Sequence, residues 1–188
     1  LDPDYAQAHA AFGQMRAMSY IGTTDPRDLD EALEHLERAV ALDPDLGEPY
    51  LWLAYCLARR DQFAAAIRAG RRAIELDRSR AEAYYFTATA YWMRGATDYE
   101  SGDWEKAAVE LERAAQLNPT YQPTLMVLAD VAIRLGRLDQ ARIVMKQAVE
   151  LESSGKGEAA KFVGGQSQLG MLELDQGNLD LAEKHFAA

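Results

Sequence analysis

The stretch Glu37–Leu46, which reads Glu-Arg-Ala-Val-Ala-Leu-Asp-Pro-Asp-Leu, decides the fold because it occurs again later in the chain. Glu112–Tyr121 reads Glu-Arg-Ala-Ala-Gln-Leu-Asn-Pro-Thr-Tyr, and Leu1–Tyr5 repeats the last half of the pattern. Repetition at a few tens of residues is typical of stacked helical units. Each copy predicts a helix that ends before the proline, because proline cannot continue a helix.

One alanine in each unit fixes the period. The five alanines, spaced 34, 41, 34 and 41 residues apart, are Ala32, Ala66, Ala107, Ala141 and Ala182. Small residues recur where two helices approach closely, and a large side chain follows four residues later on the same face. Gly70 is the exception, since it stands where the other units have a bulky residue. We expect Tyr50 or Trp52 to fill that space, and a docking side chain from a partner is the alternative.

The pattern resembles the tetratricopeptide repeat family, in which pairs of antiparallel helices repeat every 34 residues. Ala8–Gly13 and Tyr84–Tyr91 match the first-helix motif of that family, and the starts of second helices are matched by Gly102–Ala107, Gly136–Ala141 and Gly177–Ala182. The resemblance covers essentially the whole chain. It implies an all-α fold, a right-handed α-solenoid of about five stacked antiparallel helix pairs. The repeats would be 4–44, 45–78, 79–119, 120–153 and 154–188, in one domain that we expect to be part of a longer protein.

The two 41-residue spacings carry seven extra residues, which is about two turns of helix. We expect some helices to be lengthened by about two turns. The extra residues fall in alternate repeats: around Gly22–Asp30 in repeat one, Arg94–Ser101 in repeat three and Ser153–Gly165 in repeat five. Asp25-Pro26 predicts a helix start, a cap followed by proline at the first helical position. Duplication of a two-repeat unit and three unrelated loop expansions would both explain the alternation.

Composition favours one soluble helical domain. The chain has 188 residues, 48% of them hydrophobic, and no apolar run approaches the ~20 residues that span a bilayer. Cys56 is the single cysteine, so no internal disulfide forms and a cytoplasmic location is only the default, with the periplasm left open. The net charge of −10 argues against nucleic-acid binding, which depends on a basic surface.

Charge is unevenly distributed along the chain. Residues 1–50 hold 11 acidic and 3 basic side chains, whereas residues 51–80 hold 3 acidic and 7 basic ones. Arg68, Arg71 and Arg72 are spaced to share one helix face. This face is a second candidate surface for an acidic partner, because arginine binds carboxylates bidentately. Pairing with acidic neighbours of the same chain is the alternative.

Signals of catalysis and of cofactors are poor. His9, His35 and His185 fall on three separate predicted helices without the spacing of a metal site. Gly155–Gly157 is more typical of a turn than of a phosphate loop. The sequence therefore predicts no enzyme, no metal and no cofactor.

The resemblance also implies a binding surface, because first helices of the family line an inner groove. The residues at the groove positions are Leu51, Tyr55, Arg59, Tyr85, Thr89, Trp92, Met126, Asp130, Ile133 and Arg134. A carboxylate clamp used by some members is not matched, since Ala10, Gln14, Trp52 and Glu82 stand at its places. The groove is predicted to be aromatic and apolar, which suits a binding hot spot. The alternative is that Tyr85 and Trp92 pack in the core.

Three functions follow as hypotheses. The first is a protein–protein interaction scaffold that holds a peptide or partner segment in this groove. The second is a regulatory or sensory arm of a larger bacterial enzyme or transcription regulator, whose repeat regions the opening of this chain resembles. The third is a self-assembly element, in which the acidic first repeat meets the arginine-rich second repeat of another copy.

Overall fold

The computed structural model describes residues 5–98, 103–154 and 165–187, which form ten α-helices and, within those ranges, no strand. The helices are α1 (Ala6–Thr23), α2 (Pro26–Leu42), α3 (Gly47–Arg59), α4 (Phe63–Leu76), α5 (Ala81–Thr97), α6 (Asp103–Leu117), α7 (Gln122–Arg134), α8 (Leu138–Ser154), α9 (Gly165–Asp175) and α10 (Leu179–Phe186). Contacting pairs are α1 with α2, α3 with α4, α7 with α8 and α9 with α10. The predicted all-α class is confirmed.

The chain divides into two compact units, residues 1–110 and 111–188, and the boundary falls inside α6. In the first unit, α3 contacts α1, α2, α4 and α5, and α4 also contacts α5. In the second unit, α8 contacts α7 and α9, and α9 contacts α10. Each first helix of the first unit after α1 is therefore covered by the helix pair that precedes it.

The alanines that fixed the period occupy equivalent core positions. Ala32, Ala66, Ala107 and Ala141 are 0% exposed, and Ala182 is 2% exposed. In the first unit the core gathers around Ala32, Leu36, Leu53, Ala54 and Cys56. The close contact between helices leaves room for only a methyl group at the alanine positions. The spacing of these alanines in the sequence therefore matches the spacing of the helix contacts.

The repeated Leu-Asp and Leu-Asn pairs form one kind of turn. The side-chain oxygens of Asp43, Asp77 and Asn118 each accept a hydrogen bond from the backbone N–H two residues later, at 3.1, 2.9 and 3.2 Å. The same three residues donate their own N–H to the helix that they follow, at 2.9 Å in each case. Asp and Asn favour such turns because the short side chain replaces a backbone acceptor.

The extra residues lengthen first helices, though by less than two turns. α1 has 18 residues and α5 has 17, whereas α3 and α7 have 13 each. The remainder in repeat one lengthens the start of α2, whose cap is the predicted one: the Asp25 side chain accepts from the N–H of Arg27 at 3.0 Å. The expected insertion in repeat five falls mostly on residues 155–164, outside the described residues.

The space beside Gly70 is filled by α5, and not by Tyr50 or Trp52 as the sequence predicted. A Cβ atom at Gly70 would lie 2.1 Å from Oγ1 of Thr87 and 3.3 Å from its Cα. Thr87 is 0% exposed and its hydroxyl donates to the carbonyl of Ala83 at 2.7 Å. Gly70 therefore allows α4 and α5 to approach closely at this position.

No helix in the described ranges combines the length and the apolar character that crossing a membrane requires.

Candidate functional site

Four aromatic side chains of α3 and α5 form one cluster on the first unit. The ring centroid of Phe86 lies 5.4 Å from that of Tyr55, 5.5 Å from that of Tyr85 and 5.7 Å from that of Trp52. Trp52 meets Tyr55 edge to face at 6.1 Å. All four side chains are half-buried. We call this cluster the aromatic patch (Trp52, Tyr55, Tyr85 and Phe86); ring pairs at these distances attract and hold each other in place.

The patch has a cation at one edge. Arg59 follows Tyr55 by one helical turn, and its guanidinium carbon lies 5.2 Å from the centroid of the Tyr55 ring. Arg59 is exposed and pairs with no carboxylate among the residues that the structure describes. A cation over an aromatic face is favourable, and its outer side stays open to a second group.

The other edge carries a small charged network. The Trp52 indole N–H donates to the Glu48 carboxylate at 3.1 Å. The Arg80 guanidinium in turn pairs with Glu48 at 3.1 Å and with Glu82 at 3.2 Å. This network fixes the indole plane, because its only polar atom already has a partner.

Burial raises the pKa of the Tyr55 phenol above its ordinary value, against the opposing effect of Arg59. Burial also raises the pKa of Tyr85, and a hydrogen bond with the Thr89 side chain works in the other direction. Both phenols therefore stay neutral around pH 7. The Tyr55 hydroxyl can donate a hydrogen bond to a partner while its ring contributes apolar area.

The structure brings together three of the residues that the sequence placed in the groove, Tyr55, Arg59 and Tyr85. Leu51 and Thr89 lie in the core instead, at 3% and 8% exposed, because they face the neighbouring helices. Trp92 is half-buried two turns beyond Tyr85 on α5. The sequence prediction missed Phe86, and it offered Trp52 as a filler of the space beside Gly70 and not as a member of this cluster. Pairing α3 with α5, as consecutive first helices, is the signal that would have found both.

The other predicted groove residues all lie on α7 in the second unit. Met126 is 9% exposed and belongs to the core. Asp130 accepts a hydrogen bond from Nε of Arg134 at 2.9 Å, as expected for charges one turn apart. Ile133 is 36% exposed. The surface of α7 therefore offers an ion pair beside one aliphatic side chain.

The arginine face of α4 is largely engaged within the chain. Arg72 pairs with Asp45 at 3.0 Å and with Glu75 at 3.4 Å, and Arg71 donates to the Tyr91 hydroxyl at 2.6 Å. Arg68 is exposed and makes no hydrogen bond or ion pair with any described residue. The alternative that the sequence left open, pairing with acidic neighbours of the same chain, describes Arg72.

Two histidines that the sequence treated as scattered meet between α1 and α2. Nδ1 of His9 lies 2.8 Å from Nδ1 of His35, so one imidazole donates to the other. A cavity of about 440 Å³ lies beside them, lined also by Glu34, Glu37 and Arg38. No group of three metal-ligating side chains occurs among the described residues. Two imidazoles fall short of the three protein ligands of a catalytic zinc site.

A comparison with known proteins found a relative that matches most of the chain. The chain is 25% identical over 158 residues to anaphase-promoting complex subunit 3 of Schizosaccharomyces pombe, a match to 79% of this chain and 23% of that protein. The chain spans about a quarter of the length of the curated relatives it matches.

Solved structures show the same fold. The crystal structure of MamA protein superposes with a TM-score of 0.75 at 21% identity, over 97% of this chain and 88% of that one. YrrB, described as a TPR protein with an unusual peptide-binding site, superposes with a TM-score of 0.69 at 15% identity, over 98% and 84% of the two chains. Helix pairs of this kind stack into scaffolds for protein–protein interaction.

A family model, tetratricopeptide repeat, matches residues 24–88 and 99–156, which is more than half of the sequence. Together with the alanine register and the helix pairs, this match identifies the chain as a member of the tetratricopeptide repeat family.

Proposed function

We propose that this chain is a scaffold that binds a peptide or segment of another protein through the aromatic patch. The observation that carries the proposal is the cluster of four half-buried rings, held at 5.4 to 6.1 Å from one another by two consecutive first helices. Rings that are already fixed lose little conformational entropy on binding. Tyr and Trp are also the residues most enriched at binding hot spots.

The polar edge suggests what the partner carries. An apolar side chain on the patch would leave the outer side of the Arg59 guanidinium free to bind a carboxylate. We therefore propose a partner segment with an apolar residue next to an acidic one. Nucleic acid is a poor candidate, because a net charge of −10 repels phosphate. The description of YrrB as a TPR protein with an unusual peptide-binding site supports a peptide partner.

The role is one of binding and not of catalysis. The residues of the patch do not bring a nucleophile together with a base, and covalent catalysis needs both. We further propose that the repeats serve as one part of a larger protein, as a regulatory or sensory arm. The relatives support this setting, because each is about four times longer than the segment that matches.

Selection of peptides from a displayed random library against the full chain tests the proposal. We expect selected peptides to share an apolar–acidic pair. Tyr55→Ala and Arg59→Glu should each weaken their binding by about 2 kcal/mol, roughly 30-fold. Ile143→Ala is the matched control, since Ile143 is 68% exposed on the second helix α8.

Two results would count against the proposal. In one, the selected peptides bind Tyr55→Ala and Arg59→Glu as tightly as the parent chain. In the other, Ile143→Ala weakens binding as much as these variants do. Circular dichroism of each variant separates a lost contact from a lost fold, and Arg59→Glu is the safer variant because its side chain is exposed.

A further inference from the structure

Three cations from three helices surround one tyrosine ring in the first unit. Tyr91 of α5 is 3% exposed. The charged groups of Arg71, Arg94 and Lys106 lie 5.9, 5.7 and 5.8 Å from the centroid of its ring. Arg71 of α4 also donates a hydrogen bond to the Tyr91 hydroxyl at 2.6 Å. The ring attracts each cation, but it carries no net charge, so the three cations repel one another unless acidic groups compensate.

The carboxylates of the same region compensate these charges in part. Asp103 is 0% exposed and pairs with both Arg94 and Lys106, with Lys106 at 3.1 Å. Burial raises the pKa of Glu110, and the charge of Arg71 works in the other direction. Arg71 itself donates to a phenol and to no carboxylate within the described ranges. Three cations therefore face two carboxylates, and an excess of positive charge remains.

Arg68 extends this excess toward the solvent. It precedes Arg71 by one turn of α4, is exposed, and forms no hydrogen bond or ion pair with any described residue. Arg71 is exposed as well, and the Lys106 side chain is 50% exposed. We call these three residues (Arg68, Arg71 and Lys106) the basic cluster. It is a local exception in a chain whose net charge is −10.

The basic cluster is particular to the second repeat and does not lie at an end of the sequence. Counted from the alanines that fix the period, repeat one has Glu34 and Glu37 where repeat two has Arg68 and Arg71. A further repeat of the same protein would stack on the first or the last helix pair. The helix α4 belongs to the second pair, so such a repeat would leave the cluster open.

We propose that the basic cluster binds a short acidic segment of another protein, a run of Asp or Glu residues. The charges of Arg71 and Lys106 are at most about 12 Å apart, because each lies within about 6 Å of the same ring centroid. An extended run of about four residues covers that distance. Guanidinium groups bind carboxylates bidentately, and successive carboxylates of one segment match cations that stand on two helices. This surface is separate from the aromatic patch.

The acidic remainder of the chain selects for a short partner. At about 0.1 M salt, charges more than about 10 Å apart are largely screened, so a short segment senses mainly the cations beside it. A second copy is a poorer occupant, because it brings a further net charge of −10. A nucleic acid would extend its phosphates over the acidic surroundings of the cluster. Salt well above 0.1 M screens the local pairs too and should weaken binding.

Fluorescence anisotropy of a labelled hexa-aspartate peptide, titrated with the full chain, tests the proposal. Arg68→Glu should weaken binding about tenfold, because it removes a cation and adds a repelling carboxylate. Lys106→Gln, on the other helix, should weaken binding about threefold, because it removes one charge and adds none. Arg78→Glu is the matched control: it changes the net charge as Arg68→Glu does, at an exposed position outside the cluster, and should bind like the parent chain.

Four outcomes would overturn the proposal. The parent chain could fail to bind the peptide at millimolar concentration, or Arg78→Glu could weaken binding as much as Arg68→Glu does. A single-stranded DNA hexamer could bind more tightly than the peptide. Arg59→Glu could abolish binding while Arg68→Glu does not, which would place the acidic segment at the aromatic patch and leave the proposed function standing. Circular dichroism should show unchanged helix content in Arg68→Glu, because Arg68 is exposed.

Discussion

At position 70 the missing side chain is what allows α4 to lie against α5. The contact is to Thr87, which is buried and already donates its hydroxyl to a backbone carbonyl. Sequence spacing identified Gly70 as exceptional because it breaks the pattern of bulky residues. It could not identify the neighbour, because Thr87 belongs to the next repeat and threonine is unremarkable on a helix. The predicted neighbours Tyr50 and Trp52 pack around the core beside Phe86 instead.

Gly70→Ala should therefore destabilise the chain, although alanine is the better helix former. Displacing the backbone of α5 costs about 1–3 kcal/mol, more than the gain of up to ~1 kcal/mol in helix propensity. Urea unfolding followed by circular dichroism measures the difference. Gly22→Ala is the matched control, because nothing lies within 4 Å of a Cβ at that position, and it should be neutral or stabilising. An equal effect of both substitutions would show that α4 and α5 do not meet this closely.

At the scale of the elements, the sequence predicted where helices begin and end better than how long they are. Asp25 caps α2 as its sequence indicated, and the Leu-Asp turns end α2 and α4 alike. The seven extra residues were assigned to whole helical turns, because a count of residues does not say how an insertion is shared. The structure divides them between the end of α1 and the start of α2.

Asn118→Ala should weaken the turn after α6. The side-chain oxygen of Asn118 accepts from both the N–H and the hydroxyl of Thr120, at 3.2 and 3.0 Å. Loss of these bonds should lower the free energy of unfolding by about 0.5–1.5 kcal/mol, measured by urea denaturation. Asn118→Asp keeps the acceptor, as in the turn at Asp43, and should leave most of the stability intact. If Asn118→Asp behaves like Asn118→Ala, the turn does not depend on that oxygen.

At the scale of the whole molecule, composition and period were enough to predict the class and the family. They were not enough for the aromatic patch, which depends on which side chains of α3 and α5 face each other across repeats. The same holds for His9 and His35, which are 26 residues apart in sequence and meet between α1 and α2. Helix order follows from periodicity, whereas contacts between helices depend on rotation about each axis.

Acid should destabilise the protein through two buried carboxylates, one in each unit. Hydrogen bonds from Thr23 and Ser19 lower the pKa of Asp28 against burial, and Arg142 lowers the pKa of Glu173 below its ordinary 4.5. Because the folded pKa values are depressed, this stability is present above the ordinary values and is lost as the pH falls below them. Melting temperatures should therefore fall as the pH drops below about 4.5.

Glu173→Gln provides the control for this loss. The variant cannot titrate at that position, so its melting temperature at neutral pH should be lower and its decline in acid shallower than in the parent chain. A decline of unchanged steepness would place the acid sensitivity elsewhere in the chain.

The turn after each second helix has consequences for how such a chain changes over generations. Asp43 and Asp77 adopt nearly the same backbone angles, −139° and 96° against −144° and 98°, although the helix pairs that they close differ by seven residues. In repeats one and three, extra length lies at the opposite edge, inside a pair, where α1 and α5 run on. A genetic crossover at the Leu-Asp joint would thus exchange whole modules while keeping the turn itself, and an insertion inside a pair would leave that turn unchanged. The Leu-Asp turn is thus the constant part of these repeats, and the inside of a helix pair is where their length can change.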